Sequence, residues 1–438
     1  MKARLVPVYF EDERDDEFDR VFGNLKELLK DEAEFLEPVE LGSRVPDADG
    51  VIFPKLVGKA FKEVQKFRKF KMPIIIATSE FGTVNMWDWE IVSFLKSQGI
   101  KPFTPYNVEL TRIICRSLAL KRIMPEQKFL VFQDNPGEGM QASIFKRFYW
   151  WEDACTNLIK EKFGITIEKR SFKKLGEAAK SISDDEAKDK LNSISIKTEG
   201  LDERALLSAI KIYLAITKEI EGDDSIAGIG INCLNESFYS DTTPCLAWNL
   251  LYEEKGLMWA CEADTMSLLT KYLIHKTTQA PIMMSNIYPF LMGMAALKHE
   301  KIDKFPDVEE PENHMLVAHC GYLGIVPVSF SSSWVLRPRV LEIVNPNAIA
   351  IDARLPEGPL TLAKLHPGME KIQVVEGELE GYVQYPGSDC RNGAVIRVQN
   401  GYRIMKSFYS HHNLLITGHR KEEIGIMAEA FDLEVEEV

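Results

Sequence analysis

Two hydrophobic rhythms divide the chain. Through about residue 315, short apolar runs alternate with longer stretches whose apolar residues recur every third or fourth position. The runs "RLVPVYF" (4–10), "DGVIFP" (49–54) and "PIIIAT" (73–78) have no polar face, as strands buried on both sides of a parallel sheet require. Between and after them, "DEFDRVFGNLKELLK" (16–30), "GKAFKEVQKFRKF" (58–70) and "MWDWEIVSFLKSQG" (86–99) carry helical spacing. A second such series starts at "KFLVFQDNPGEG" (128–139) and runs through a Trp-rich helix, "FKRFYWWEDACTNLIKEKFG" (145–164). The charged "SDDEAKDKLNSISIKTEGLDE" (183–203) reads as a solvated helix and loop, followed by a long helix near 203–220. Then come "AGIGINC" (227–233), the helix "PCLAWNLLYEEKG" (244–256), the strand-to-helix stretch "LMWACEADTMSLLTKYL" (257–273) and the strand "PIMMSNI" (281–287).

Beyond that point the rhythm shortens. "HMLVAHC", "GIVPVSF", "WVLRPRVLEIV", "AIAIDARL", "KIQVVEGELEGYVQY", "GAVIRVQNGYRIMKSFY" and "HNLLITGH" read as strands separated by Gly, Pro and Asn, with helix returning in "KEEIGIMAEAFD" (421–432). The pattern predicts two doubly wound α/β domains with parallel sheets, residues 1–125 and 126–282. A β-rich domain resembling an antiparallel barrel, residues 283–438, follows them.

Composition narrows the function classes. Hydrophobic residues at 45% and charged residues at 27% describe an ordinary globular chain. A net charge of −13 argues against a nucleic-acid or anionic-membrane partner, since phosphate binding needs clustered cations. No apolar run is long enough for a bilayer, and "MKARLVPVYFEDERDDEF" lacks the form of a signal peptide. The seven cysteines form no C-x-x-C, so buried thiols and a cytoplasmic location are expected. No GxGxxG or P-loop occurs.

In parallel sheets, ligands gather beyond the carboxyl ends of the strands. Glu262 stands at such an end, as a hard oxygen ligand for Mn²⁺ or Mg²⁺ or as a general base, while Asp264 suits the helix start. "SFYSHHNLLITGHR" (407–420) brings His411, His412 and His419 together without zinc-site spacing. His319 ends the apolar run "HMLVAHC"; strand alternation points it away from Cys320, so packing is the expected role of the thiol. Trp334, in "SSSWVLRPR", lies among hydroxyls and guanidiniums able to hold a polyol or an acid. Trp87 and Trp89 follow the strand "PIIIAT" and offer faces for sugar C–H groups, or ordinary helix packing.

Taken together, "PCLAWNLLYEEKGLMWACEADTMSLLTKYLIHKTTQAPIMMSNI", "SHHNLLITGHRKEEIGIMAEAFDLEV" and "TSEFGTVNMWDWE" resemble the L-fucose isomerase family and its L-arabinose isomerase relatives. The resemblance implies a metal-binding Glu at Glu262 and a metal-binding His at His412. It places the family's second acidic ligand on Asn286, in a stretch from Pro281 to Lys298 that contains no acid. It also implies a Mn²⁺-assisted aldose–ketose interconversion through an ene-diol, with a carboxylate moving the proton between C1 and C2. The expected partners are a small-molecule sugar and further copies of the chain in a homo-oligomer, trimer or hexamer, with Trp87 or Trp89 serving a neighbour's site. His319, Trp334 and His411 are the further candidates for substrate contact, and Asn286 is a candidate for both ligand and catalytic roles. Two alternatives stand beside this reading. One is an epimerase or carbon–carbon lyase on a sugar or sugar acid using the same enediolate; the other is a non-catalytic sugar-binding protein.

Overall fold

The computed structural model describes residues 1–10, 14–135, 143–148, 151–289, 308–319, 322, 325–384, 392–407 and 409–438. They form two compact units. The first comprises Met1–Met124, Lys276–Thr278 and Glu422–Leu433. Its parallel sheet is built from β1 (Ala3–Tyr9), β2 (Ala33–Phe35), β3 (Val39–Glu40), β4 (Gly50–Phe53) and β5 (Ile74–Ile76), in the order β2-β1-β4-β5 with β3 also on β1. The absence of a polar face in these runs has a direct cause. Val6, Val51, Ile74 and Ile76 enter one core, while Leu5, Ile52 and Ile75 enter the other on the opposite face. Phe53 stacks on Phe67 at 5.0 Å within the first core, and the helix Val108–Ile123 packs Ile114, Cys115 and Leu118 into the second.

The second unit comprises Pro125–His275, Gln279–Lys421 and Glu434–Val438. Its parallel sheet holds β6 (Lys128–Phe132), β7 (Thr166–Arg170), β8 (Ile226–Ile231) and β9 (Met258–Cys261), in the order β7-β6-β8-β9. Phe132, Ile231 and Cys261 align across β6, β8 and β9, so the carboxyl ends of these strands form one level edge. The antiparallel strands are β10 (Ile282–Pro289), β11 (His314–Ala318), β12 (Ser333–Pro338), β13 (Ile349–Arg354), β14 (Gly358–Leu365), β15 (Lys371–Gln384), β16 (Asn392–Val398) and β17 (His412–Thr417), with β18 (Glu434–Glu437) parallel to β15. Six of them close into a barrel, β14-β17-β10-β11-β16-β15, through the β14–β15 pairing. Closure removes the open edges that a six-stranded sheet would otherwise present. β12 and β13 form a separate pair.

The fold expected from the pattern, α/β with parallel sheets and a barrel-like β region, is therefore present, and its local departures have physical causes. "GIVPVSF" contains a 3₁₀ turn, Val328–Phe330, right after Pro327, which cannot donate to a ladder. "GAVIRVQNGYRIMKSFY" is strand only to Val398. Asn400 then takes a left-handed conformation and caps the helix Gly401–Ser407 by accepting from the Arg403 amide at 3.0 Å. The Trp-rich stretch holds two helices, Phe145–Phe148 and Asp153–Phe163. β7 is an edge strand with no fully buried residue, so it leaves no apolar run to read. Cys115, Cys155, Cys233, Cys245 and Cys261 are buried, whereas Cys320 and Cys390 lie outside the described residues. Among the described residues, no helix is long and apolar enough to cross a membrane.

Candidate metal centre

β9 ends in a turn of unusual geometry. Glu262 and Ala263 both have φ of 54°, the left-handed region that non-glycine residues rarely adopt. Three hydrogen bonds hold the turn. The Ala263 amide donates to Ile231 O at 3.0 Å, the Asp264 amide to Cys261 O at 3.1 Å, and the Trp151 indole to Ala263 O at 2.8 Å. Gly230 supplies the room, because a Cβ there would lie 3.0 Å from Ala263 Cα. Such over-determined strain concentrates at functional sites. Here it sets Glu262 at the carboxyl edge of the sheet and starts the helix Thr265–Thr278 directly behind it.

Asp264 caps that helix, accepting from the Ser267 amide at 2.8 Å and the Ser267 hydroxyl at 2.7 Å. It does more than cap. His412, the first residue of β17, donates from Nδ1 to Asp264 Oδ2 at 2.9 Å. That bond leaves Nε2 of the neutral ring as a lone pair, 3.5 Å from Glu262 Oε1. A carboxylate on the far nitrogen is how metal-binding imidazoles are commonly oriented. Burial opposes charge on His412, but its hydrogen bonding to the Asp264 and Glu262 carboxylates outweighs it and pushes the ring up to about 9. Burial likewise opposes charge on Asp264, and the Lys364 and His412 charges hold it well below the usual carboxylate range.

His319 completes the group. It is 3% exposed and meets His412 edge to face, with ring centroids 5.6 Å apart. Neither of its ring nitrogens has a hydrogen-bond partner among the described residues, and burial pushes it down to about 4, so the ring is neutral at pH 7. One ligand atom each from Glu262, His319 and His412 lies within 4.8 Å of the others, and all three residues are buried. Tetrahedral donors about 2.1 Å from an ion sit roughly 3.4 Å apart. The Glu262–His412 pair is already at that spacing, so a modest contraction toward His319 would hold a metal ion.

Asn286 stands on β10 directly opposite His412 on β17. The Ile287 amide donates to His411 O, which makes Asn286 and His412 a pair without mutual backbone hydrogen bonds, the arrangement that brings side chains closest on one face. His411 is exposed, with its ring 4.3 Å from that of His412. Trp334 is buried and donates its indole N–H to Val326 O at 2.9 Å. Trp87 and Trp89 belong to the first unit and are 77% and 39% exposed. His419, also in the second unit, lies 3.4 Å from Glu378.

Two buried lysines escape a reading of the sequence. Lys364 of β14 lies 3.4 Å from Asp264 Oδ2 and also donates to Ser267 Oγ. Lys271 is fully buried. Its Nζ donates to Trp259 O at 3.0 Å and sits 3.8 Å from the centre of the Trp259 ring. A lysine inside an apolar run, as in "GPLTLAKL" or "MSLLTKYL", is the one local signal that either could have given. Comparison with known protein families and with curated proteins found no match for the chain.

Proposed function

We propose that the protein is a metal-assisted aldose–ketose isomerase with Glu262, His319 and His412 as the metal ligands. The observation that carries this reading is the convergence of those three buried side chains at the carboxyl end of a parallel sheet. The divalent ion would supply Lewis-acid polarisation of a substrate carbonyl. Glu262 then has a second task, carrying a proton between C1 and C2 of the sugar, because Asn286 has no basic site. Asp264 keeps the His412 ring in place, and Asn286 offers a neutral carbonyl oxygen beside it. The resemblance implies Mn²⁺. Two imidazoles with one carboxylate widen that choice toward Fe²⁺, Co²⁺ and Zn²⁺.

A second reading, an epimerase or lyase working on a sugar acid, is supported by Asn286 itself. With a neutral residue where the family has an acid, the centre is one negative charge short, and an anionic substrate would supply it. One experiment addresses both. The protein is loaded with Mn²⁺ or Co²⁺ and incubated in D₂O with aldoses such as L-fucose and L-arabinose, and with the matching aldonates. Deuterium uptake at C2 of an aldose, with ketose appearing, supports the isomerase. Uptake on the aldonates alone favours the second reading. A metal-loaded protein that exchanges no carbon-bound hydrogen on any of them removes the enediol chemistry. The exposed Trp87 and Trp89 fit a role over the site of a neighbouring copy, which a monomer at micromolar concentration in light scattering would rule out.

A further inference from the structure

We propose that Lys364 is a positioning residue for the metal centre, fixing Asp264 and through it the imidazole of His412. The inference rests on the metal reading of Glu262, His319 and His412. Lys364 and Asp264 are 2% and 0% exposed, so each polar group is held by protein partners rather than by bulk water. The contacts form a chain. Lys364 Nζ donates to Ser267 Oγ, the Ser267 hydroxyl donates to Asp264 Oδ2 at 2.7 Å, and the same Oδ2 accepts from His412 Nδ1 at 2.9 Å. Lys364 Nζ also approaches Oδ2 directly, at 3.4 Å. The oxygen that orients His412 is therefore the one oxygen that Lys364 and Ser267 both hold.

The elements explain why this matters. Asp264 sits on the helix that follows β9, whereas His412 and Lys364 start from neighbouring barrel strands, β17 and β14. Lys364 thus ties the helix carrying the carboxylate to the strands carrying the imidazole. The hydrogen bond from His412 Nδ1 stays in place when Nε2 turns to a metal, so the position of Asp264 Oδ2, which Ser267 and Lys364 also approach, decides where the imidazole points. A buried carboxylate needs such partners. Partners of this kind behind a ligand commonly change metal affinity 10- to 100-fold when removed.

The test is Co²⁺ binding at fixed pH, read by calorimetry and by the visible d–d bands, for wild type, Lys364→Met, Asp264→Asn, the double variant and Ser267→Ala. Lys364→Met is expected to weaken Co²⁺ binding at least tenfold and to change the band positions. The double variant is expected to bind no more weakly than Asp264→Asn alone, because Lys364 acts through Asp264. A purely structural lysine would give additive losses and an unaltered spectrum, which overturns the proposal. Should Lys364→Met not fold, the double variant, which carries neither charge, and Ser267→Ala carry the test. Wild-type affinity and spectrum in Ser267→Ala, together with weaker binding by the double variant than by Asp264→Asn alone, would overturn it as well. Co²⁺ binding by wild type that Lys364→Met leaves unchanged removes the role of Lys364 alone. No Co²⁺ binding by wild type removes the metal reading, and this inference with it.

Discussion

His412 donates from Nδ1 to Asp264 Oδ2 at 2.9 Å, and both side chains are sealed from solvent. The same ring faces Glu262 with its other nitrogen, and the two carboxylates push it up to about 9. A metal must displace that proton to reach Nε2. Near pH 7.5, binding should therefore release about one proton per ion, and apparent affinity should tighten about tenfold per pH unit up to roughly pH 9. Titrating Co²⁺ calorimetrically in buffers of different ionisation enthalpy measures the release. Heats that do not depend on the buffer would show that His412 is not the group displaced.

His319 offers a cleaner separation of structure from function. Both its ring nitrogens are buried without hydrogen-bond partners among the described residues. Replacing an unsatisfied buried polar group by an apolar one of similar shape is close to neutral or stabilising. His319→Phe should thus keep or raise the metal-free melting temperature while weakening metal binding at least tenfold. A variant that melts several degrees lower and binds metal normally would mark His319 as a packing residue.

The parts of this site that local pattern can announce are those whose chemistry contradicts their surroundings. Glu262 ends an apolar strand, and His412 opens another, so both stand out in the sequence. Asp264 does not, because an acid at a helix start is already explained by capping, and its bond to His412 depends on a strand far along the chain. Lys364 depends on the closure of the barrel, in which β14 pairs with both β15 and β17. His319 reads as a substrate contact in sequence and lies in the ligand group in space. Pairing between distant strands decides that difference, and no local periodicity encodes it.

Lys271 gives a prediction with a defined sign. Burial pushes its amine down to about 7, whereas an unfolded lysine titrates near 10.4. Between those values the unfolded chain holds a proton that the folded chain lacks, so wild-type stability rises as pH climbs from 7 to 10. The full span is about 5 kcal/mol. Lys271→Met removes this contribution. The variant should be more stable than wild type at pH 7, by an amount that shrinks toward pH 10. Urea unfolding of both proteins at pH 7 and 9.5 checks this. A pH-independent difference would mean that Trp259 keeps the lysine charged throughout.

Asn286 allows the sharpest test, because it lies beside His412 where the resemblance calls for an acid. Asn286→Asp would add a third carboxylate to a buried group that already holds Glu262 and Asp264. Without metal, the added charge should lower stability by several kcal/mol and strengthen the proton competition at His412. With a divalent ion the sign reverses, since an anionic oxygen binds a hard cation better than a carbonyl does. The variant should bind Mn²⁺ at least tenfold more tightly at pH 8, with a smaller gain at pH 6. Metal should also raise its melting temperature by more than it raises that of wild type. Ligand at a hundred times Kd contributes about 2.7 kcal/mol, enough to offset much of the metal-free loss. The added carboxylate would also supply a second proton acceptor, so isomerase turnover should appear or rise. Mn²⁺ affinity equal to wild type, with a melting temperature that stays low when the metal is present, would show that residue 286 faces packing rather than the ion. Glu262 and the two histidines would then have to hold the metal without any oxygen from β10.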